Sequence, residues 1–214
     1  MAERVRTANR LHVDLVSLRP GYERRIRSLG SSVQLERAER LLADDESVQA
    51  MLARRRIEKL RQLDTEIKQA QRDLRELVRA TGSGLPQLAG VGDLITARII
   101  GEVGDIERIQ SKSRFARLNG TAPIPACSGP TNHHRLNTGG NRRLNHAIHM
   151  IALTQARMDP RARAYIDRRR SEGRTRRDAV RALKRHLSDV VYQQLRTDAG
   201  LRADAIAPRA RKLT

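Results

Sequence analysis

The sequence predicts an all-α protein: a long, heptad-bearing helical (coiled-coil) arm, then a compact multi-helix domain containing a helix-hairpin-helix turn. Three observations predict it. Hydrophobic residues make up 38% of the 214 and aromatic residues only 2%, so the core is built from Leu, Ile, Val and Ala, a palette that suits packed helices better than strands. Apolar residues recur at spacings of three and four along most of the chain. Glycine and proline fall in clusters between these periodic runs, where they break helices.

In chain order, Leu11, Leu15, Val16 and Leu18 mark a short amphipathic helix that ends at Pro20-Gly21. A helical region then runs from about Val33 to Ala80. Its last part sets Leu60, Leu63, Ile67, Ala70, Leu74 and Leu77 on one seam, which reads equally as a coiled-coil arm or as one helix of a bundle packed within the chain. Residues 1–80 form this linker region. The break at Thr81-Gly82-Ser83-Gly84-Leu85-Pro86 opens a second domain, 81–198.

Within that domain, short helices are interrupted by a loop from Gly120 to Gly140, which holds Pro123, Pro125, Gly129, Pro130 and Gly139. The next helix carries Leu144, Ala147, Ile148, Ile151 and Ala152 on one face and Met150 and Leu153 on the other, so burial nearly all round is expected. Asp159-Pro160 is an N-cap followed by a first helical position. Thr175 can cap a last helix with the stripe Val180, Leu183, Leu187, Val191 and Leu195. Residues 199–214 are small, basic and aperiodic, and a disordered tail is expected.

Charge narrows the function. The chain has 43 Lys plus Arg against 24 Asp plus Glu, net +19. Between Arg108 and Arg196, 20 basic residues face 5 acidic ones, the footprint of a phosphate-backbone binder. Arginine dominates over lysine, and its planar fork suits bidentate phosphate contacts. No stretch approaches the roughly 20 apolar residues of a spanning helix, and no signal peptide opens the chain. A cytoplasmic, nucleoid-associated protein without membrane contact is therefore expected. The single cysteine, Cys127, excludes an intramolecular disulfide framework and a cysteine-rich zinc module.

Several motifs carry possible chemistry. Leu88-Ala89-Gly90-Val91-Gly92-Asp93 has the form of a hairpin between helices, with Gly90 and Gly92 freeing backbone N–H groups for a phosphate; an ordinary interhelical turn has the same form. Glu102 and Asp105 could ligate a metal, but Gly104 ending one helix and Asp105 capping the next is the simpler reading. His146 and His149 have a metal-sharing spacing without a third ligand. Ser128 lies in a Pro/Gly loop, where serine is ordinarily a turn residue. It is followed by His133, His134, Arg135 and then Gly139-Gly140-Asn141-Arg142-Arg143 opening a helix, and these could supply the proton acceptor and cationic stabilisation that attack on a phosphodiester requires. Arg135, Gly140, Arg142, Arg143, Arg169, Arg170, Arg174, Arg176 and Arg177 are read, with Gly90 and Gly92, as nucleic-acid contacts.

From Leu85 to Leu195 these marks, in this order, resemble the C-terminal domain of the IS-one-ten family of insertion-sequence transposases, the bridge-RNA-guided DNA recombinases. The heptad region resembles that family's coiled-coil linker, and Arg6 to Leu18 the segment before it. The resemblance implies a DNA transposase in which Ser128 is the nucleophile that forms a covalent DNA intermediate. It also implies an N-terminal RuvC-like domain whose four acidic residues hold Mg²⁺, a structured guide RNA, and self-association through the coiled coil. Nothing upstream of Arg6 can form the RuvC-like sheet, and Asp14, Asp44 and Asp45 do not take the place of its carboxylates. The expected chain is thus the C-terminal portion: it binds DNA, holds no cofactor itself, and carries out no strand transfer alone. A non-catalytic helix-hairpin-helix module binding nucleic acid, and an RNA-binding scaffold, are the competing readings.

Overall fold

The computed structural model describes residues 1–125, 134–135, 137 and 139–210, and the chain divides into two compact units, Met1–Asp73 and Leu74–Thr214. Eight α-helices hold most of the described residues: α1 Ala2–Leu18, α2 Ser32–Leu41, α3 Val48–Ala80, α4 Asp93–Val103, α5 Lys112–Leu118, α6 Arg142–Met158, α7 Pro160–Ser171 and α8 Arg176–Ala210. Two two-residue strands, β1 Ile124–Pro125 and β2 His134–Arg135, pair antiparallel with Ile124 opposite Arg135. None of the described helices is long and apolar enough to cross a membrane.

The first unit is a small helical bundle. Leu11 and Leu15 of α1, Tyr22 and Ile26 between α1 and α2, Leu35 and Ala38 of α2, and Ala50, Ala53, Ile57 and Leu60 of α3 form its core. The helical region expected from Val33 onward is split, because Ser47 caps a new helix by accepting from Ala50 N at 3.2 Å. Arg61 forks onto Glu39 at 2.6 and 3.2 Å, and Arg4 and Arg56 pair with Asp64 and Asp14. These pairs join residues far apart in sequence. Leu60 and Leu63, the first two positions of the heptad seam, are buried, whereas Leu77 is 66% exposed. The start of the seam therefore packs within the chain.

The unit boundary at Asp73 precedes the expected 80/81 break, since the last turns of α3 belong with the second unit: Val78 is buried there and Arg75 pairs with Asp93 of α4 at 3.0 Å. In that unit α5, α6 and α7 pack along α8, and α4 packs on α6. The core runs from Leu85 through Ile99, Phe115, Leu144, Ile148 and Ile151 to Leu183, Leu187 and Val191. Phe115 stacks at a tilt on Tyr192, whose hydroxyl donates to Ile109 O at 2.9 Å. Ser83 Oγ and Gly84 N donate to the buried carboxylate of Asp198, which fastens the 81–84 turn to α8.

The predicted caps form. Asp159 accepts from Arg161 N at 2.8 Å ahead of Pro160, and Thr175 accepts from Asp178 N at 3.2 Å. Three expectations are corrected. Asp105 caps a non-helical turn through Glu107 N, and α5 is capped instead by Ser111. α6 is not buried all round: Met150 is 37% and Leu153 42% exposed, because the face opposite its core stripe borders a groove. And α8 runs to Ala210 where a tail was expected from 199; alanine, five of the twelve residues from 199 to 210, is the strongest helix former.

Candidate nucleic-acid interface

The site is built around the junction where α5 ends and α6 begins. Gly140 meets Gly120 so closely that an added Cβ would lie 2.4 Å from Gly120 N and 2.6 Å from its Cα; only glycine fits. Gly120 itself has φ +69, the left-handed region that favours glycine. Asn141 N donates to Leu118 O at 2.6 Å. Asn141 Oδ1 then caps α6 by accepting from Leu144 N at 2.9 Å, while its Nδ2 donates to Glu102 Oε2 at 2.7 Å. This hydrogen bond, with Arg143 at 3.4 Å, holds the Glu102 carboxyl below its ordinary pKa range. Glu102 therefore supports the turn at the start of α6. Buried Asn119 completes the junction, donating to Ser188 Oγ of α8 at 2.7 Å and accepting from Thr121 N and Oγ1.

From this junction an open groove of about 1190 Å³ extends between α6 and the first half of α8. Gly120, Asn137 and Gly140 close one end. Arg142, Asn145, His146, His149, Leu153, Ala156 and Arg157 line it from α6, and Arg176, Arg177, Val180, Arg181 and Lys184 from α8. Six cationic side chains thus face one groove whose lining, among the described residues, contains no carboxylate. Asp178 stands beside it, paired with Arg181 at 3.0 Å. Such a concentration of one sign attracts a polyanion and is screened by salt.

Burial and the nearby Arg181 push the Lys184 ammonium below its ordinary pKa, and burial, Lys184 and His146 do the same to His149. Nδ1 of His149 is buried without a partner among the described residues. His146 Nδ1 lies 3.2 Å from Arg98 Nη1; a guanidinium only donates, so the ring accepts there and carries its proton on Nε2. The two histidines are thus groove residues. Among the described residues, no three His, Cys, Asp or Glu side chains gather as a metal site.

The structure separates the predicted contacts into groups. Gly140, Arg142, Arg176 and Arg177 line the groove. Arg143 is 81% exposed and pairs with Glu102, Arg169 pairs with Glu172 at 2.7 Å, and Arg170 and Arg174 are exposed elsewhere. Arg135 lies in β2, paired with Ile124. Ser128 and Cys127 fall between β1 and β2 in sequence, outside the described residues. In the Gly90–Gly92 turn, Gly90 (φ +79) is pressed against α6, with an added Cβ 3.2 Å from Thr154, and Ala89 O accepts from Gln155. Gly92 faces open space at the N-terminus of α4, but Asp93 in that first turn already supplies a negative charge there. Upstream of the turn stands only a single 3-10 turn, Leu85–Gln87.

Sequence reasoning missed Asn145, Arg157 and Lys184. Their signal was a second helical period: on α6 the polar positions 142, 145, 146, 149 and 157 repeat opposite the apolar stripe, and on α8 positions 176, 177, 181 and 184 do the same.

Residues 83–167 match the family model described as Transposase IS116/IS110/IS902 family. The chain is 29% identical over 173 residues to the insertion element IS900 uncharacterized 42 kDa protein of Mycobacterium paratuberculosis, covering 79% of this chain and 43% of that one. It is 33% identical to the insertion element IS110 uncharacterized 43.6 kDa protein of Streptomyces coelicolor, over 52% of this chain and 28% of that one. With the insertion element IS116 uncharacterized 44.8 kDa protein of Streptomyces clavuligerus the identity is 32%, over 63% and 34%. The matches thus span less than half the length of each of these relatives.

Proposed function

We propose that the chain, whose residues 83–167 match the IS116/IS110/IS902 transposase family model, is the DNA-binding C-terminal portion of a transposase that holds the DNA backbone in the groove between α6 and α8. The observation that carries this reading is the lining: six cations and, among the described residues, no carboxylate, set inside and beside the stretch that the family model matches. Phosphate contacts of this kind position a duplex and do not read its sequence. The Gly90–Gly92 turn has no phosphate to hold in this account, since Gly90 is spent on packing against α6.

In the same reading Ser128 is the nucleophile. Its Oγ attacks a phosphorus, the Oγ–P bond forms as the P–O bond to the leaving deoxyribose breaks, and the proton that Oγ gives up is balanced by the one the leaving oxygen takes. In sequence, the segment carrying Ser128 falls between β1 and the α6 turn that Glu102 and Asn141 fix. The carboxylates and Mg²⁺ that assist the attack come from a RuvC-like domain, so the chemistry needs that complement. A structured guide RNA presents the same phosphates to the same groove, and self-association through the outward part of the α3 seam belongs to the same proposal.

The test is to supply the RuvC-like domain and trap covalent protein–DNA adducts with Ser128→Ala beside the unaltered chain. Adducts disappear in the variant while duplex affinity stays within about twofold. Undiminished adducts in Ser128→Ala contradict the nucleophile.

A further inference from the structure

Lys184 lies half-buried in the wall that α8 gives to the groove. Its partner there is neutral: Nζ donates to Asn145 Oδ1 at 2.8 Å. Asn145 cannot turn over, because its Nδ2 donates to Asn119 O at 2.7 Å and a carbonyl only accepts. The amide oxygen is therefore fixed toward the ammonium, and Asn119 is itself buried and held by Ser188. An ammonium has three N–H bonds to give, and this contact uses one.

Among the described residues no carboxylate pairs with Lys184. The charged and titratable groups around it, Arg181 and His149, are a cation and an imidazole. A half-buried cation without a counter-charge is costly, and an uncharged side chain would serve stability better. A bound anion supplies what is missing.

We propose that Lys184, oriented by Asn145 and flanked by His149, is a discrete socket for one backbone phosphate of the DNA strand in the groove. The two free N–H bonds go to phosphate oxygens. The socket rests on the DNA-binding reading above and adds a positioning role to it. Arg142, Arg176 and Arg177 are exposed and attract a strand in any register. Lys184 is tied through Asn145 to Asn119, in the α5–α6 junction that bounds the Ser128 segment. A phosphate held there sets the strand's register against that segment.

The chain has five lysines, Lys59, Lys68, Lys112, Lys184 and Lys212, so amine acylation read by mass spectrometry resolves each one. With the full chain and a duplex DNA oligonucleotide, Lys184 becomes protected on binding while Lys59 and Lys68 label unchanged. Independently, Lys184→Gln weakens duplex binding about tenfold and lowers the salt slope by about one, with no loss of helicity. Binding that falls in Arg176→Gln/Arg177→Gln yet is unaltered in Lys184→Gln overturns the socket and leaves the DNA reading standing. No duplex binding by the unaltered chain overturns both. Protection of Lys184 by inorganic phosphate alone, to the same extent as by duplex, overturns the assignment to a strand.

Discussion

At Gly140 two backbones meet with no room for a side chain, and the opening of α6 depends on that contact. An added Cβ would sit 2.4 Å from Gly120 N and 3.0 Å from Arg117 O, atoms of the main chain that cannot swing aside. Gly140→Ala is expected to cost about 1–3 kcal/mol, the range for overpacking, and to weaken DNA binding further than its fall in Tm explains, because the turn shapes the groove's end. Gly101, in the neighbouring Gly101-Glu102-Val103-Gly104-Asp105 stretch, is the contrast. It is helical, exposed, and has nothing within 4 Å of an added Cβ. Gly101→Ala should therefore stabilise the protein by about 0.5–1 kcal/mol through helix propensity, which thermal unfolding of the two variants side by side will show. Glu102 belongs to the same comparison: its carboxylate is spent on Asn141 and Arg143, which explains an acidic residue among so many basic ones without calling on a metal.

At the scale of elements, α8 joins core and site. Leu183, Leu187 and Val191 face the core, while Arg176, Arg177, Arg181 and Lys184 line the groove. Its start is set by Thr175, which accepts from Asp178 N and donates to Asp178 Oδ2 at 2.6 Å. Thr175→Ala is expected to cost about 1 kcal/mol and to fray the turn that carries Arg176 and Arg177, so hydrogen exchange should quicken at the start of α8 and not at its middle. This helix, its cap and its stripe were legible in the sequence, as were the core stripe of α6 and the cap of α7, because periodicity and capping are local. The groove was less so. Arginine density pointed to 169, 170 and 174 as readily as to 176 and 177, and only tertiary packing turns the second pair toward α6. Lys184 and Asn145 carried no motif, since their meaning lies in a contact between two helices. Likewise the seam of α3 could not be assigned from spacing: Leu60 and Leu63 satisfy a heptad and an internal bundle equally well, and the fold of α1 and α2 decides for the bundle there.

Across the whole molecule, charge is divided as unevenly as function. Residues 1–73 hold 16 basic and 12 acidic residues, and residues 74–214 hold 27 and 12. The first unit has nearly balanced charge with internal pairs such as Arg61–Glu39 and Arg19–Asp45, whereas the second has a groove lined by six cations, of which Arg181 is paired with Asp178. DNA phosphates are proposed to lie in that groove. This placement is tested most directly by the salt dependence of duplex binding, comparing the unaltered chain with Arg176→Gln/Arg177→Gln. It predicts affinity falling linearly on a log–log plot, with a slope near −0.9 for each phosphate neutralised and smaller by about two in the variant, while circular dichroism stays unchanged. An identical slope and affinity in the variant would contradict it.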